Sequence, residues 1–277
     1  MAVKFKEENH TYESIDPNES INWISVTKMV SLFKSKFDGV TQSEKSSKNS
    51  RSKWYKVPPI KIREIWENES KRSTDLGTWY HKEREFDICN VETISRAGKP
   101  IMVIRPHQNI DEKIAPNQRL TEGIYPEHMV YLKSESLCGQ ADRVEVIDNV
   151  VDIYDYKTNK EISIKGYEKW DGTVTKLEKP LQHLDDCHLV HYGLQLSMYL
   201  YIILKHNPLF KPGKLWIHHV LFKVKDYDQY GYPITAVNEQ GNPIAEKVVP
   251  YEVPFYKKEI ETMLKHYKKQ KNEKQPT

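Results

Sequence analysis

No apolar run in this 277-residue chain approaches the roughly 20 residues that a membrane-spanning helix requires. The opening Met1-Ala2-Val3-Lys4-Phe5-Lys6-Glu7-Glu8 lacks the apolar core of a secretory signal. A membrane partner is therefore not expected. Cysteine is scarce: Cys89, Cys138 and Cys187 are scattered and odd in number. That argues against a disulfide framework and for a reducing compartment, such as the cytoplasm of a bacterial or phage-infected cell. A dominant charge is missing as well. With 42 Lys and Arg against 39 Asp and Glu, the net charge of +3 names no partner by itself. Repeats and low-complexity segments are absent, which excludes solenoids and arrays. What remains is a polar globular chain with 38% apolar residues, long enough to bury a sizeable core.

Turn residues and hydrophobic periodicity divide the chain. Val3-Lys4-Phe5 and His10-Thr11-Tyr12 suggest a short hairpin. Ile24-Ser25-Val26-Thr27 leads into an amphipathic helix carrying Val26, Met29, Val30 and Phe33, with Ser25 or Thr27 as cap. Gly39 to Lys56 is rich in Ser, Lys and Asn and poor in apolar residues, which predicts a mobile basic loop. Past Pro58-Pro59 a helical pattern starts at Ile60, and another runs from about Leu76 to Asn90 with Leu76, Tyr80 and Phe86 inward. Ile101 to Glu122 reads as irregular, Glu127 to Leu132 as a strand, and 163–184 as a polar loop. His188 to Lys205 is strongly helical, Leu215 to Val224 is a strand, Asp226 to Gly241 a hairpin excursion, and Phe255 to Lys269 a final helix. Strand, hairpin, helix and strand in that order predict an α/β layered fold.

Leu137 to Thr158 is the most informative stretch. Asp148-Asn149 separates two runs rich in β-branched residues, and both residue types tolerate the positive φ of a tight hairpin turn. Counting outward pairs Ile147 with Val150, Val146 with Val151 and Val144 with Ile153, and brings Asp142 opposite Asp155. Val144, Val146, Val151 and Ile153 then share a face with both carboxylates, and Lys157 continues it. Opposed residues lie roughly 4.5–5.5 Å apart at Cβ, where like charges destabilise a sheet. Two carboxylates on an apolar face need a reason, and a divalent cation between them is the simplest.

Four motifs extend the pattern: Gly77-Thr78-Trp79-Tyr80-His81, Gly139-Gln140-Ala141-Asp142, Asp155-Tyr156-Lys157 and Gln195-Leu196-Ser197-Met198-Tyr199. In type and order they resemble the PD-(D/E)XK nuclease superfamily, in the branch of the RecB nuclease domain, phage exonucleases and mitochondrial genome maintenance exonuclease. Ser25-Val26-Thr27 looks like the entry segment of phage members. The resemblance spans roughly residues 76 to 223. It implies a central mixed β-sheet flanked by helices, a restriction-endonuclease-like three-layer core, with a helical N-terminal extension. On that reading residues 1–74 form the extension and 75–277 the nuclease core.

The resemblance also implies roles. Asp142 and Asp155, with the Tyr156 carbonyl, His81 and Glu127, would hold Mg²⁺ or Mn²⁺, ions suited to hard oxygen ligands. Lys157 would orient or deprotonate the attacking water, or else only pair with Asp155. Gln195 and Tyr199, at i and i+4 on one helical face, would contact the scissile phosphate or the strand beside it. Relatives with an iron–sulfur cluster need four cysteines, so no cluster is expected here. The implied activity is a metal-dependent exonuclease acting on DNA ends or single strands in replication, recombination or repair. A structure-specific endonuclease and a non-cleaving nucleic-acid binder are the alternatives. Apart from the resemblance, Lys53-Trp54-Tyr55-Lys56 lies within a basic stretch where aromatics would stack bases while cations neutralise phosphates. Cys187 and His191 share a helical face, yet no second cysteine pair stands at a zinc-like spacing.

Overall fold

The computed structural model describes residues 3–6, 11–105, 113–115, 117–169 and 171–273. In chain order the elements are β1 (Val3–Lys6), β2 (Thr11–Ser14), β3 (Ile24–Ser25), α1 (Val26–Ser31), α2 (Gly39–Lys48), α3 (Pro59–Cys89), β4 (Thr93–Arg96), β5 (Lys99–Met102) and β6 (Lys113–Ile114). They continue with β7 (Gly123–Leu132), β8 (Leu137–Ile147), β9 (Val150–Lys157), α4 (His188–His206), β10 (Lys211–Phe222), β11 (Val224–Tyr227), β12 (Pro233–Thr235), β13 (Ala245–Val253) and α5 (Lys257–Glu273). The central sheet runs β13-β10-β9-β8-β3, with β7 also on β8. It is mixed: β10 lies parallel to β9 and β3 to β8, while the remaining pairs are antiparallel. With helices on both faces, this is the α/β architecture expected.

The β8–β9 hairpin forms the middle of that sheet. Asp148 (φ 51°) and Asn149 (φ 63°) both adopt the left-handed conformation that a two-residue hairpin turn demands. The register follows the count made from the sequence, Ile147 to Val150, Val146 to Val151 and Val144 to Ile153. Those four valine and isoleucine side chains at 144, 146, 151 and 153 are buried against Leu194, Met198 and their neighbours on α4. On the opposite face Tyr80 of α3 packs with Tyr156 and Val220.

The two edges of β8 are used differently. β7 follows one edge from Leu137 to Val146. The other is shared: β9 takes Arg143 to Ile147, and β3 takes Leu137 and Cys138. Residues 139–142 are left as a fork between β9 and β3. Into that fork come Tyr199 from α4 and Val26 from α1, so close that a Cβ on Gly139 would lie 2.7 Å from the Tyr199 ring and 3.1 Å from Val26.

Three expectations are corrected. Gly39 to Lys56 is a loop only in part: α2 covers Gly39–Lys48, where Asp38 caps it, accepting from Val40 N–H and Thr41 N–H at 3.1 Å each, and turns follow over 49–56. The helix has no apolar stripe since its buried contact is polar, Ser43 receiving the Arg63 guanidinium at 2.9 Å. Second, the two helices expected from Ile60 and Leu76 are one, α3, which runs unbroken through residues 74 and 75, where extension and core were to meet. Glu69 and Arg72 pair at 2.7 Å in its middle, which lines a cleft instead of the core, so the apolar period vanishes there. The N-terminal stretch packs on the core: β3 joins the central sheet, and Val26, Met29, Val30 and Phe33 enter the main apolar cluster. Third, Phe86 is 65% exposed. His10 of the first expected hairpin lies outside the described residues.

The fork supplies a direct test of packing. Gly139→Ala is expected to cost about 1–3 kcal/mol of stability through overpacking against Tyr199 and Val26. Denaturant unfolding of the two proteins measures it.

Candidate metal centre and active site

Strand register lines up three acids. Pro126 pairs with Arg143 and His128 with Ala141, so Glu127 lies opposite Asp142. Arg143 pairs with Tyr154, so the next row places Asp142 opposite Asp155. Glu127, Asp142 and Asp155 therefore form one row across β7, β8 and β9, and at that row the regular pairing lapses on both sides of β8. Pro126 lacks an N–H to donate, and Glu127 takes a left-handed φ of 44° inside its strand. The Asp142 carboxylate fills the break on the other side by accepting the Tyr156 N–H at 2.6 Å. The sequence expectation of two facing acids on an apolar sheet face holds by count. The side chains are buried, Asp142 8% and Asp155 1% exposed.

Each acid has its own partner. Gln140, two residues before Asp142 on the same side of β8, donates its amide to Glu127 Oε2 at 2.7 Å. Asp155 pairs with the Lys157 ammonium through Oδ2 and accepts from Gln195 Nε2 at 3.2 Å through Oδ1. Gln195 Nε2 is also 3.1 Å from the Tyr199 hydroxyl. His81 comes from α3, which can approach the end of β9 because Gly77 replaces a side chain: a Cβ there would meet the Thr158 hydroxyl at 3.1 Å. His81 Nδ1 is 3.4 Å from Asp142 Oδ1 and 3.9 Å from Glu127 Oε1. Its Nε2 is 3.1 Å from the Tyr156 carbonyl oxygen.

Both ring nitrogens thus face groups that only accept, which is the geometry of an imidazolium. Burial would lower the His81 pKa, but Asp142 and Glu127 outweigh it and push the group up to about 10. Burial raises Glu127 to about 7 despite His81. Asp155 is likewise raised by burial, to about 6, against the pull of Lys157. Asp142 moves the other way, because His81 and Lys157 overcome its burial.

His81, Glu127 and Asp142 offer ligand atoms that all lie within 4.8 Å of one another. Two carboxylates and an imidazole fit a divalent cation that accepts oxygen and nitrogen, Mn²⁺ more readily than Mg²⁺. The hydrogen bond from Nε2 to the Tyr156 carbonyl would orient the ring and leave Nδ1 for the metal. Asp155 lies outside that trio, turned to Lys157 and Gln195, and the Tyr156 carbonyl meets His81.

A cleft of about 710 Å³ contains the whole row. Ser70, Thr74 and Thr78 of α3 form one wall, and Phe5 and Tyr12 of the N-terminal hairpin also line it. Lys53, Trp54, Tyr55 and Lys56 are not among its lining residues. Trp54 is buried between Trp66 and Tyr230, with ring centroids at 6.3 and 5.6 Å, so stacking on a base is not open to it. Lys53 donates to the Tyr230 carbonyl at 2.7 Å, which pins the β11–β12 excursion to this corner. Tyr55 is exposed, with the Lys56 ammonium 5.2 Å from its ring centre. His191 and Cys187 do not converge on a metal: His191 Nε2 contacts Asp186 at 2.6 Å, and Cys187 stands at the N-cap position of α4 without a side-chain capping bond.

Sequence reasoning passed over Gln140, although its alternation with Asp142 puts it on the acid face. It also passed over Tyr12 and Phe5, for which no local signal exists. No family model and no curated protein matches the chain. Among solved structures, the crystal structure of SSO0001 is similar over 94% of this chain and 81% of its own, at 12% identity and a TM-score of 0.33. That likeness is too slight to carry fold or function across.

The acid row predicts an unusual pH response. Glu127 binds a proton in the folded metal-free protein up to about pH 7, against an ordinary value of 4.5, so its contribution is present below 4.5 and lost as pH rises through 7. Asp155 and His81 act with the same sign. With chelator present, the melting temperature is expected to fall from pH 5 to 8, and to fall less steeply in Glu127→Gln. Equal slopes in the two proteins would contradict this.

Proposed function

We propose that the chain is a metal-dependent deoxyribonuclease that works from DNA ends or on single strands. The observation that carries the proposal is the row of Glu127, Asp142 and Asp155 across three adjacent strands, with Lys157 paired to its last member. Structural economy does not account for such a row, because neighbouring buried carboxylates repel and lose their hydration. Phosphodiester hydrolysis does, since it needs stabilised charge on the phosphate and a water made nucleophilic near neutral pH. A bound Mg²⁺ or Mn²⁺ supplies both.

His81, Glu127 and Asp142 would hold that ion. Asp155 lies next in the row, fixed by Gln195 on one oxygen and Lys157 on the other. Lys157 then has its ammonium at the edge of the reacting zone, able to orient the attacking water or offset phosphate charge. Tyr199 holds Gln195 from the next turn of α4 and seals the fork at Gly139. The preference for ends follows the resemblance to the exonuclease branch of the PD-(D/E)XK superfamily. DNA contact by the basic stretch would run through phosphates at Lys45, Lys48 and Arg51, not through Trp54. Three unpaired thiols suit a cytoplasmic location. Among the described residues no helix is long and apolar enough to cross a membrane.

Incubation with linear and circular DNA in Mg²⁺ or Mn²⁺ tests the reading. Linear DNA is expected to be lost from its ends while closed circles persist; nicked circles would instead indicate an endonuclease. Asp155→Ala and Lys157→Ala should each lower turnover by roughly 100-fold or more and leave DNA binding largely intact. Binding without cleavage by the unaltered protein would overturn the proposal.

A further inference from the structure

α4 presents Tyr192, Gln195 and Tyr199 at i, i+3 and i+7, a single stripe of the helix. Gln195 reaches Asp155 and Tyr199 reaches Gly139. Tyr192, one turn earlier, reaches Lys157: its ring centre is 4.9 Å from the ammonium nitrogen. Nothing in the motifs of the sequence singles this residue out.

The ring is held from several directions. Its hydroxyl donates to Asn159 Oδ1 at 2.7 Å. Asn159 is two residues beyond Lys157, so this bond ties the ring to the segment that carries the lysine. The Asn159 carbonyl is itself 2.7 Å from His219 Nε2 on β10. On the helix side, the His188 imidazole stacks on Tyr192 with ring centres 6.0 Å apart and planes 11° from parallel. His188 is fixed in turn, its Nδ1 accepting the Ser163 backbone N–H at 3.2 Å while its backbone N–H donates to Ser163 Oγ at 3.0 Å.

We infer that Tyr192 is a positioning residue for Lys157, its ring face holding the ammonium beside Asp155. A lysine has a flexible four-carbon stem, and one carboxylate fixes its tip in one direction only. An aromatic face within about 6 Å supplies a second attractive point from another side. With both present, the ammonium stays at the end of the acid row and does not swing into the open cleft. The inference rests on the nuclease reading for its effect on turnover, but the placement of Lys157 can be measured without any substrate.

The test compares Tyr192→Leu, which removes the ring face, with Tyr192→Phe, which keeps it. The first readout is the rate of reductive methylation of Lys157 in the full chain, mapped by mass spectrometry. The second is the division between kcat and KM on linear DNA. In Tyr192→Leu, Lys157 should be methylated several-fold faster and kcat should fall roughly tenfold or more, with KM changed by less than about twofold. Tyr192→Phe should restore protection of Lys157 and most of kcat. Unchanged methylation in the Leu variant overturns the inference, as does a Phe variant that behaves like Leu. If Tyr192→Leu fails to fold, Tyr192→Met, of similar bulk but without a ring face, decides: methylation of Lys157 should rise, and no rise counts against the inference. A wild-type protein that never cleaves DNA would remove the nuclease reading alone, and methylation would still decide the role of Tyr192.

Discussion

Repulsion within a buried row of carboxylates is the constraint around which this structure is arranged. Glu127, Asp142 and Asp155 stand on three neighbouring strands at one level of the sheet, where backbone pairing would otherwise be uninterrupted. Desolvating even one carboxylate costs several kcal/mol unless it finds partners. Here every acid has them, and the partners come from separate parts of the chain: Gln140 from β8 itself, His81 from α3, Gln195 from α4, and Lys157 from two residues further along β9. The row thus ties both flanking helices to the sheet at a single point.

Two glycines follow from that arrangement. α3 must come close enough for His81 to reach the acids, and Gly77 removes the side chain that would strike Thr158. α4 must place Tyr199 in the gap between β9 and β3, and Gly139 vacates the space for its ring. Neither glycine has a left-handed backbone, so close approach is the reason for both. The strain lies elsewhere: Glu127 is left-handed within a strand, a conformation that costs a non-glycine residue about 1–2 kcal/mol. Strain of this kind persists where surrounding contacts over-determine it, and the two contacts from the Gln140 amide to Glu127 do that here.

Much of this was legible because strands keep a strict alternation. With Asp148-Asn149 as the turn, arithmetic alone places Asp142 across from Asp155 and sets the valines on their face. The third member, Glu127, lies further from that turn, beyond a connection of four residues, 133–136, whose length fixes no register. Helices are less legible for a physical reason. α2 buries a serine and the middle of α3 borders a cleft, so neither shows the apolar period that sequence reading depends on. Trp54 misled in the opposite sense: an aromatic among lysines suggests a surface for bases, yet the indole sits in a small core with Trp66 and Tyr230, and Lys53 lies over it with its ammonium 4.8 Å from the ring centre. Long-range partners such as Arg96, whose guanidinium meets the buried Glu145 on β8 from a separate hairpin, leave no local trace at all.

The division of the row into two parts follows from charge. His81 faces acceptors from both nitrogens, so in the metal-free protein it brings one positive charge to two acids, and Lys157 brings one to the third. Three carboxylates met by two cations leave a deficit, and burial pushes the Glu127 carboxyl up to about 7, toward its protonated form. A cation with two charges would supply more than the imidazolium does at the same place, while Asp155 could keep its lysine. That accounts for a trio of convergent ligand atoms that excludes Asp155, although the register puts all three acids in line. The strands fix which acids are neighbours, and the cations reaching them from α3 and β9 decide how those neighbours are grouped.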